Sequence, residues 1–188
     1  TRDVERARSK LEGAKLVAAE LETPGPWCDE LAKVDAIVHL AGESVGDKKW
    51  DARQKQRIRD SRIESLRVIN DAIAKLAPET RPKILISSSG VDYYPYAIIG
   101  LGDDEDVTEL DPPGDTFLAR VCRDWEAEAT AMTKHGLRVA TLRVGLIIGA
   151  GLAMDRLTGP FKWFAGGRIG SGKQWVSWIG LRDVVQAI

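Results

Sequence analysis

The stretch ILISSSGVDYYP, residues 84–95, sets three consecutive hydroxyls and two adjacent phenols at the end of an apolar run. A serine hydroxyl can hydrogen-bond a reacting oxygen, and a phenol can hand a proton to a carbonyl. The serines 87–89 and the phenols Tyr93 and Tyr94, with Tyr96 close by, are therefore candidates for an active site. An unperturbed phenol titrates at about 10, so a tyrosine working at neutral pH calls for a cation beside it. No lysine is obviously placed to serve. The competing reading packs these rings beneath an acidic loop, with their hydroxyls in water. Other candidates are thinner. His39 stands alone in an apolar run, where a histidine is ordinarily a satisfied core residue, and His135 closes a helix. Cys28 and Cys122 fall outside any Cys-x-x-Cys or Cys/His spacing, which argues against a disulfide framework and a zinc site. No metal ligand is assigned, and a mid-helix Cys122 reads as a small core hydrophobe.

The elements that must position these groups follow from periodicity. VDAIVHL, 34–40, reads as a strand buried on both faces, and AGE after it is a tight strand exit at Gly42. Ile58, Leu66, Ile69, Ile73 and Leu76 at helical spacing predict an amphipathic helix over about residues 51–77, stopped by Pro78. Lys83–Ser87 is a second buried strand, and 89–114 a long acidic, turn-rich loop. Asp115 is placed to cap a helix that runs to Lys134 and His135, with Gly136 as its stop. RVATLRVGLII, 138–148, is the third buried strand, and GPFKWFAGGRIGSGKQWVSWI shows no clear period. Strand, helix, strand, helix, strand predicts right-handed crossovers in an α/β, doubly wound parallel sheet. Ligands of such sheets bind at the carboxyl ends of the strands, where His39–Gly42, Ser87–Ser89 and Arg143–Gly145 fall.

Composition narrows the partner. With 27 basic and 28 acidic residues among 188, net charge gives no case for nucleic acid or an anionic membrane. No stretch approaches the roughly 20 apolar residues of a membrane span, and the start TRDVERARSK is too charged for a signal peptide. A cytoplasmic protein whose partner is a small molecule or another protein is the expectation. An opening at Thr1 rather than Met and an ending inside LRDVVQAI suggest part of a longer chain.

VDAIVHLAGE, the KKW and SRIES region, LISSSGVDYY, TFLARVCRDWEAEA, LRVGLIIG and GGRIGSGKQWVSWI together resemble an atypical, extended branch of the short-chain dehydrogenase/reductases. Within it the likeness is to the NAD-dependent epimerase/dehydratase-like, "SulA-family" nucleoside-diphosphate-sugar epimerases. The resemblance implies a Rossmann-like NAD(P)-binding domain over 1–150 that lacks its first strand and Gly-rich phosphate loop. It also implies a substrate-side region beginning at 151–188, with most of a small C-terminal subdomain absent. The GGRIGSG run does not replace the phosphate loop, since no buried strand leads into it and no amphipathic helix follows. The implied cofactor is NADP, with NAD as the alternative; the implied substrate is a small carbonyl compound or nucleotide sugar, and a homodimer is compatible. Arg2 is then placed to meet an adenosine 2′-phosphate. Leu40, Ala41, Gly42 and Glu43 line the adenine ribose and pyrophosphate, Ser87 faces the nicotinamide ribose, and Val144 with Gly145 walls the nicotinamide.

The superfamily's Tyr and the Lys four residues on are missing. DTFLARVCRDWE offers Leu118 and Cys122 at those places in one register, Phe117 and Val121 in the other. Two functions follow: an oxidoreductase with a non-standard active site built on Ser89, Tyr93 and Tyr94, or a non-catalytic NADP-binding sensor or scaffold. The six tryptophans, among them Trp163, Trp175 and Trp178, are expected to be core.

Overall fold

Short polar side chains start the long helices. Asp3 accepts the Arg6 backbone N–H at 2.9 Å and caps α1, Val4–Arg8. Asp51 accepts that of Gln54 at 2.7 Å and opens α2, Ala52–Lys75. Thr116 Oγ1 accepts that of Ala119 at 3.1 Å ahead of α3, Phe117–Thr130. Each satisfies a donor the first turn leaves without an intrahelical partner. The cap of α3 is thus Thr116 rather than Asp115, because the chain turns helical one residue later than expected. A 3₁₀ turn, Ala131–His135, continues α3 and ends at Gly136, whose φ of 89° is the left-handed conformation expected of a helix stop.

The computed structural model describes residues 1–95, 106–149, 152–168, 170–172 and 175–188, so Tyr96 lies outside the described residues. They form two compact units, Thr1–Ser87 with Asp124–Thr141, and Ser88–Arg123 with Leu142–Ile188. The strands β2 and β3 and the helix α3 pass from one into the other.

In the first unit, β1, Ala36–His39, pairs in parallel with β2, Ile84–Gly90, in the register Ala36 to Ile84 and His39 to Ser87. The sheet order is β1-β2-β3, with β3 at Arg138–Val144. The apolar face of α2 lands as its spacing requires: Ile58, Leu66, Ile69 and Ile73 are buried, joined by Ile63. Burying each such side chain is worth about 1.5–3 kcal/mol. Leu66, Ile69 and Ile73 share a cluster with Trp27, Leu31, Leu85, Trp125, Met132 and Leu137. Arg67 of α2 donates to Glu128 of α3 at 2.7 Å beside it. Two expectations are corrected. β1 is buried on one face only, with Val38 46% exposed, because the strand is a sheet edge and its second face is open. β2 does not stop at Ser87 but runs to Gly90, and its alternation puts Leu85, Ser87 and Ser89 on the buried side.

In the second unit, 138–148 is not one strand. Gly145 separates β3 from β4, Leu146–Ile148, which pairs in parallel with β5, Trp178–Gly180, in a sheet of its own. The break has a steric cause: an ideal Cβ at residue 145 would lie 2.6 Å from the Ser177 carbonyl oxygen, whose acceptor takes Leu146 N–H at 2.9 Å. A helix the sequence reading did not assign, α4, Leu152–Lys162, runs into the segment without clear period and was hidden by Gly159 and Pro160 inside it. After the GGRIGSG run comes β5, not a helix, and LRDVVQAI forms α5, Leu181–Ala187. Trp163, Trp175 and Trp178 are not core: they are 84%, 62% and 64% exposed, since the short β4–β5 ladder offers little surface to bury them against. The tryptophans of the core are Trp27 and Trp125.

Candidate active site and cofactor cleft

Arg2, Leu40, Ala41, Gly42 and Glu43, assigned to one ligand from sequence, do share one cleft. It has a volume of about 640 Å³ and is also lined by Thr1, Glu20, Glu22, Arg57, Asp60 and Ser61. Thr1 holds Arg2 at the rim by accepting Ala19 N–H at 2.9 Å and donating to the Val17 carbonyl at 2.9 Å. The exit of β1 is anchored from α2. Ser61 Oγ accepts the Glu43 N–H at 2.8 Å, and Arg62 donates to the carbonyls of Glu43 at 3.0 Å and Ile58 at 2.9 Å. The space beside Gly42 is taken by that same guanidinium, since an ideal Cβ would sit 2.8 Å from Arg62 Cζ. Glycine is needed there for close packing of the protein on itself. The Glu43 carboxyl is held below its usual range, first by the hydrogen bond from Lys48 at 3.1 Å, with Arg57 at 3.7 Å adding to it.

The cleft therefore combines guanidinium groups with carboxylates and small backbone-exposing residues. An adenosine phosphate asks for cations at phosphate and acceptors for ribose hydroxyls and the adenine amino group. Both kinds are present, and the volume falls in the roughly 300–1,000 Å³ of small-molecule sites. The residues fit the adenosine-phosphate part of a dinucleotide. Ser87 does not line this cleft; it is fully buried in β2 opposite His39.

His39 is a core residue. Its Nε2 lies 2.9 Å from Ser65 Oγ, whose own proton goes back to the Ser61 or Arg62 carbonyl, so His39 Nε2–H is the donor. Its Nδ1 is buried without a partner among the described residues. Desolvation first, and the Arg62 charge second, push the imidazole down to about 4.

In the second unit the two tyrosines meet a cation that the sequence reading did not assign. Arg143 Nη1 donates to Tyr94 Oη at 2.9 Å, and the same guanidinium lies 3.5 Å from the centroid of the Tyr93 ring. The rings are edge to face at 5.3 Å. Gly114 N–H donates to the Tyr93 carbonyl at 2.7 Å, tying the returning loop to this turn. Tyr94 is buried, as are Ser89 on β2 and Cys122 on α3. The Asp92 carboxyl, in the turn Val91–Tyr93, is pushed up by burial. Val144 and Gly145 follow Arg143 at the end of β3, with Gly145 against Ser177. The available signal for Arg143 was a cation placed mid-run among apolar neighbours in RVATLRVGLII, the second of two, after Arg138.

The profile of the NAD dependent epimerase/dehydratase family matches residues 1–188. The chain belongs to this family. An epimerase family protein of Mycobacterium leprae is 38% identical over 162 residues, covering 85% of this chain and 50% of its own. One of Bacillus subtilis is 34% identical over 160 residues, 85% of this chain and 50% of its own. The chain spans about half the length of the curated relatives it matches. Among solved structures, the human epimerase family protein SDR39U1 (isoform 2) with NADPH superposes at a TM-score of 0.68 with 30% identity, over 87% of this chain and 57% of that one. A nucleoside-diphosphate sugar epimerase from Corynebacterium glutamicum gives 0.68 and 33%, over 89% and 33%. A UDP-glucuronic acid 4-epimerase from Bacillus cereus, solved with UDP-glucuronic acid and NAD, shares the fold at 0.74 with 15% identity, over 96% and 56%. The family fold is Rossmann-like, NAD(P)-binding and oxidoreductase-like.

Proposed function

We propose that this chain is the core of an NADP-dependent, epimerase/dehydratase-like oxidoreductase acting on a small carbonyl compound or a nucleotide sugar. The observation that carries the reading is the cleft in which Arg2 joins Leu40–Glu43. The human relative solved with NADPH supports NADP over NAD. Arg2 takes the 2′-phosphate, Leu40–Glu43 the adenine ribose and pyrophosphate, and Val144 with Gly145 the nicotinamide, whereas the enclosed Ser87 is left without a ligand contact. A bound nicotinamide supplies or accepts hydride. The chain's own share is to orient the substrate oxygen through Ser89 and to move a proton through Tyr93 or Tyr94. NADP-binding residues 1–150 and a substrate-side region from 151 remain our division of labour, and a cytoplasmic setting goes with it.

Titration of the full-length protein with NADPH and with NADH tests the cofactor assignment. Micromolar NADPH binding clearly tighter than NADH is expected; no binding of either would overturn it. Ser89→Ala combined with Tyr93→Phe and Tyr94→Phe is expected to abolish turnover while NADPH affinity is kept.

A second reading, NADP binding without turnover, is favoured by Leu118 and Cys122 where the superfamily carries Tyr and Lys. Tight cofactor binding with no reaction across a panel of aldehydes, ketones and sugar nucleotides would establish it.

A further inference from the structure

We propose that Arg143 is a positioning residue for Tyr94, and that it makes Tyr94, rather than Tyr93, the proton donor of the site. The inference rests on the catalytic reading above and deepens it. A guanidinium carries donors and no acceptor. In the 2.9 Å contact between Arg143 Nη1 and Tyr94 Oη the hydroxyl must therefore accept, which turns its single proton away from Arg143 and toward another acceptor. The Glu109 carbonyl accepts from the same nitrogen at 3.2 Å and fixes the guanidinium from a second side. Tyr93 is held differently. Its ring face lies 3.5 Å from Arg143 Cζ, against 5.1 Å for the Tyr94 ring, so one tyrosine meets the cation through its π surface and the other through its oxygen. Tyr94 is only 8% exposed, and electrostatic interactions at such a site are weakly screened.

The step assigned to the chain is a proton transfer. The Tyr94 O–H bond breaks, an O–H bond forms on the substrate carbonyl oxygen, and the electron pair stays on the phenolate against the Arg143 cation. Water returns the proton; the hydride to carbon is the nicotinamide's share.

The test uses the full-length protein with NADPH and, as carbonyl probes, 4-nitrobenzaldehyde and a UDP-4-keto sugar. Arg143→Gln should lower kcat roughly ten- to a hundredfold, within the range of general acid catalysis, with KM and NADPH affinity held within about threefold. Arg143→Lys should recover part of the loss. Arg143→Gln added to Tyr94→Phe should cost nothing further, because the two act as one unit. Labelling tyrosine at Cζ with ¹³C gives a readout apart from turnover: the Tyr94 signal, identified by its loss in Tyr94→Phe, should move in Arg143→Gln and return toward wild type in Arg143→Lys. An unmoved signal, an unchanged kcat in Arg143→Gln, or independent losses in the double variant would overturn the proposal. Absence of wild-type turnover with every probe, with the signal still moving, would instead sink the catalytic reading while leaving the Arg143–Tyr94 bond established. If Arg143→Gln does not fold, Arg143→Ala is read by the same signal: a moved Tyr94 signal supports the proposal and an unmoved one overturns it.

Discussion

Arg2 carries the most specific assignment at the scale of single residues. It lies in a cleft with four carboxylates, Glu20, Glu22, Glu43 and Asp60, and one further guanidinium, Arg57. Glu43 is occupied by Lys48 and Arg57. Under the proposed assignment, a cofactor phosphate in this cleft would draw on the Arg2 cation. Arg2→Ala is expected to weaken NADPH roughly ten- to a hundredfold, the worth of one charge-assisted pair, and to leave NADH nearly unchanged. Calorimetric titration of both cofactors checks it, and equal losses would remove the 2′-phosphate assignment. Arg143 teaches a different lesson. A tyrosine needs a cation in space, and sequence spacing looked for it as a lysine one helical turn along. The cation arrives instead from β3, about fifty positions away, where no local pattern announces it.

At the scale of elements, α2 was legible because Ile58, Leu66, Ile69 and Ile73 repeat at helical spacing, and β1 and β2 because their apolar runs sit between turn residues. The split of the third strand was not legible. It depends on Ser177 approaching Gly145, a contact between residues far apart in the chain. α4 was missed for a local reason, its Gly-Pro pair, and its end shows a further irregularity. Ala165 N–H donates to the Pro160 carbonyl at 3.0 Å and Phe164 N–H to that of Phe161 at 3.1 Å, the paired bonds of a Schellman stop. The left-handed position of that stop, with φ of 55°, is filled by Phe164, which is fully exposed. Phe164→Gly relieves the left-handed backbone and gives up no burial, so it should stabilise by about 1 kcal/mol. Denaturant melts of the two proteins measure it, and a loss of stability would refute the cap geometry.

For the molecule as a whole, the parallel α/β architecture followed from the order of elements, whereas the open surfaces did not: sequence shows that a residue is apolar, not whether anything covers it. The buried His39 links the core to solution pH. Its imidazole is held at about 4 by desolvation and then by Arg62, against an ordinary 6.5. As pH falls from 6.5 to 4 the unfolded chain takes up a proton that the folded chain refuses, so stability drops across that window and is fully present above it. The loss approaches about 3 kcal/mol at its acid end. His39→Gln should flatten this part of the curve; parallel slopes for wild type and variant from pH 6.5 to 4.5 would contradict the buried neutral imidazole.

The distribution of tryptophan also decides how the protein looks in a fluorimeter. Trp27 and Trp125 are buried, with Trp125 under the Arg62 guanidinium at 5.2 Å, whereas Trp50, Trp163, Trp175 and Trp178 face solvent. Intrinsic emission should be red-shifted and open to iodide quenching in the native state already. Unfolding of the core around α2 then adds only the shift of Trp27 and Trp125 to a signal that four exposed indoles already draw toward the red.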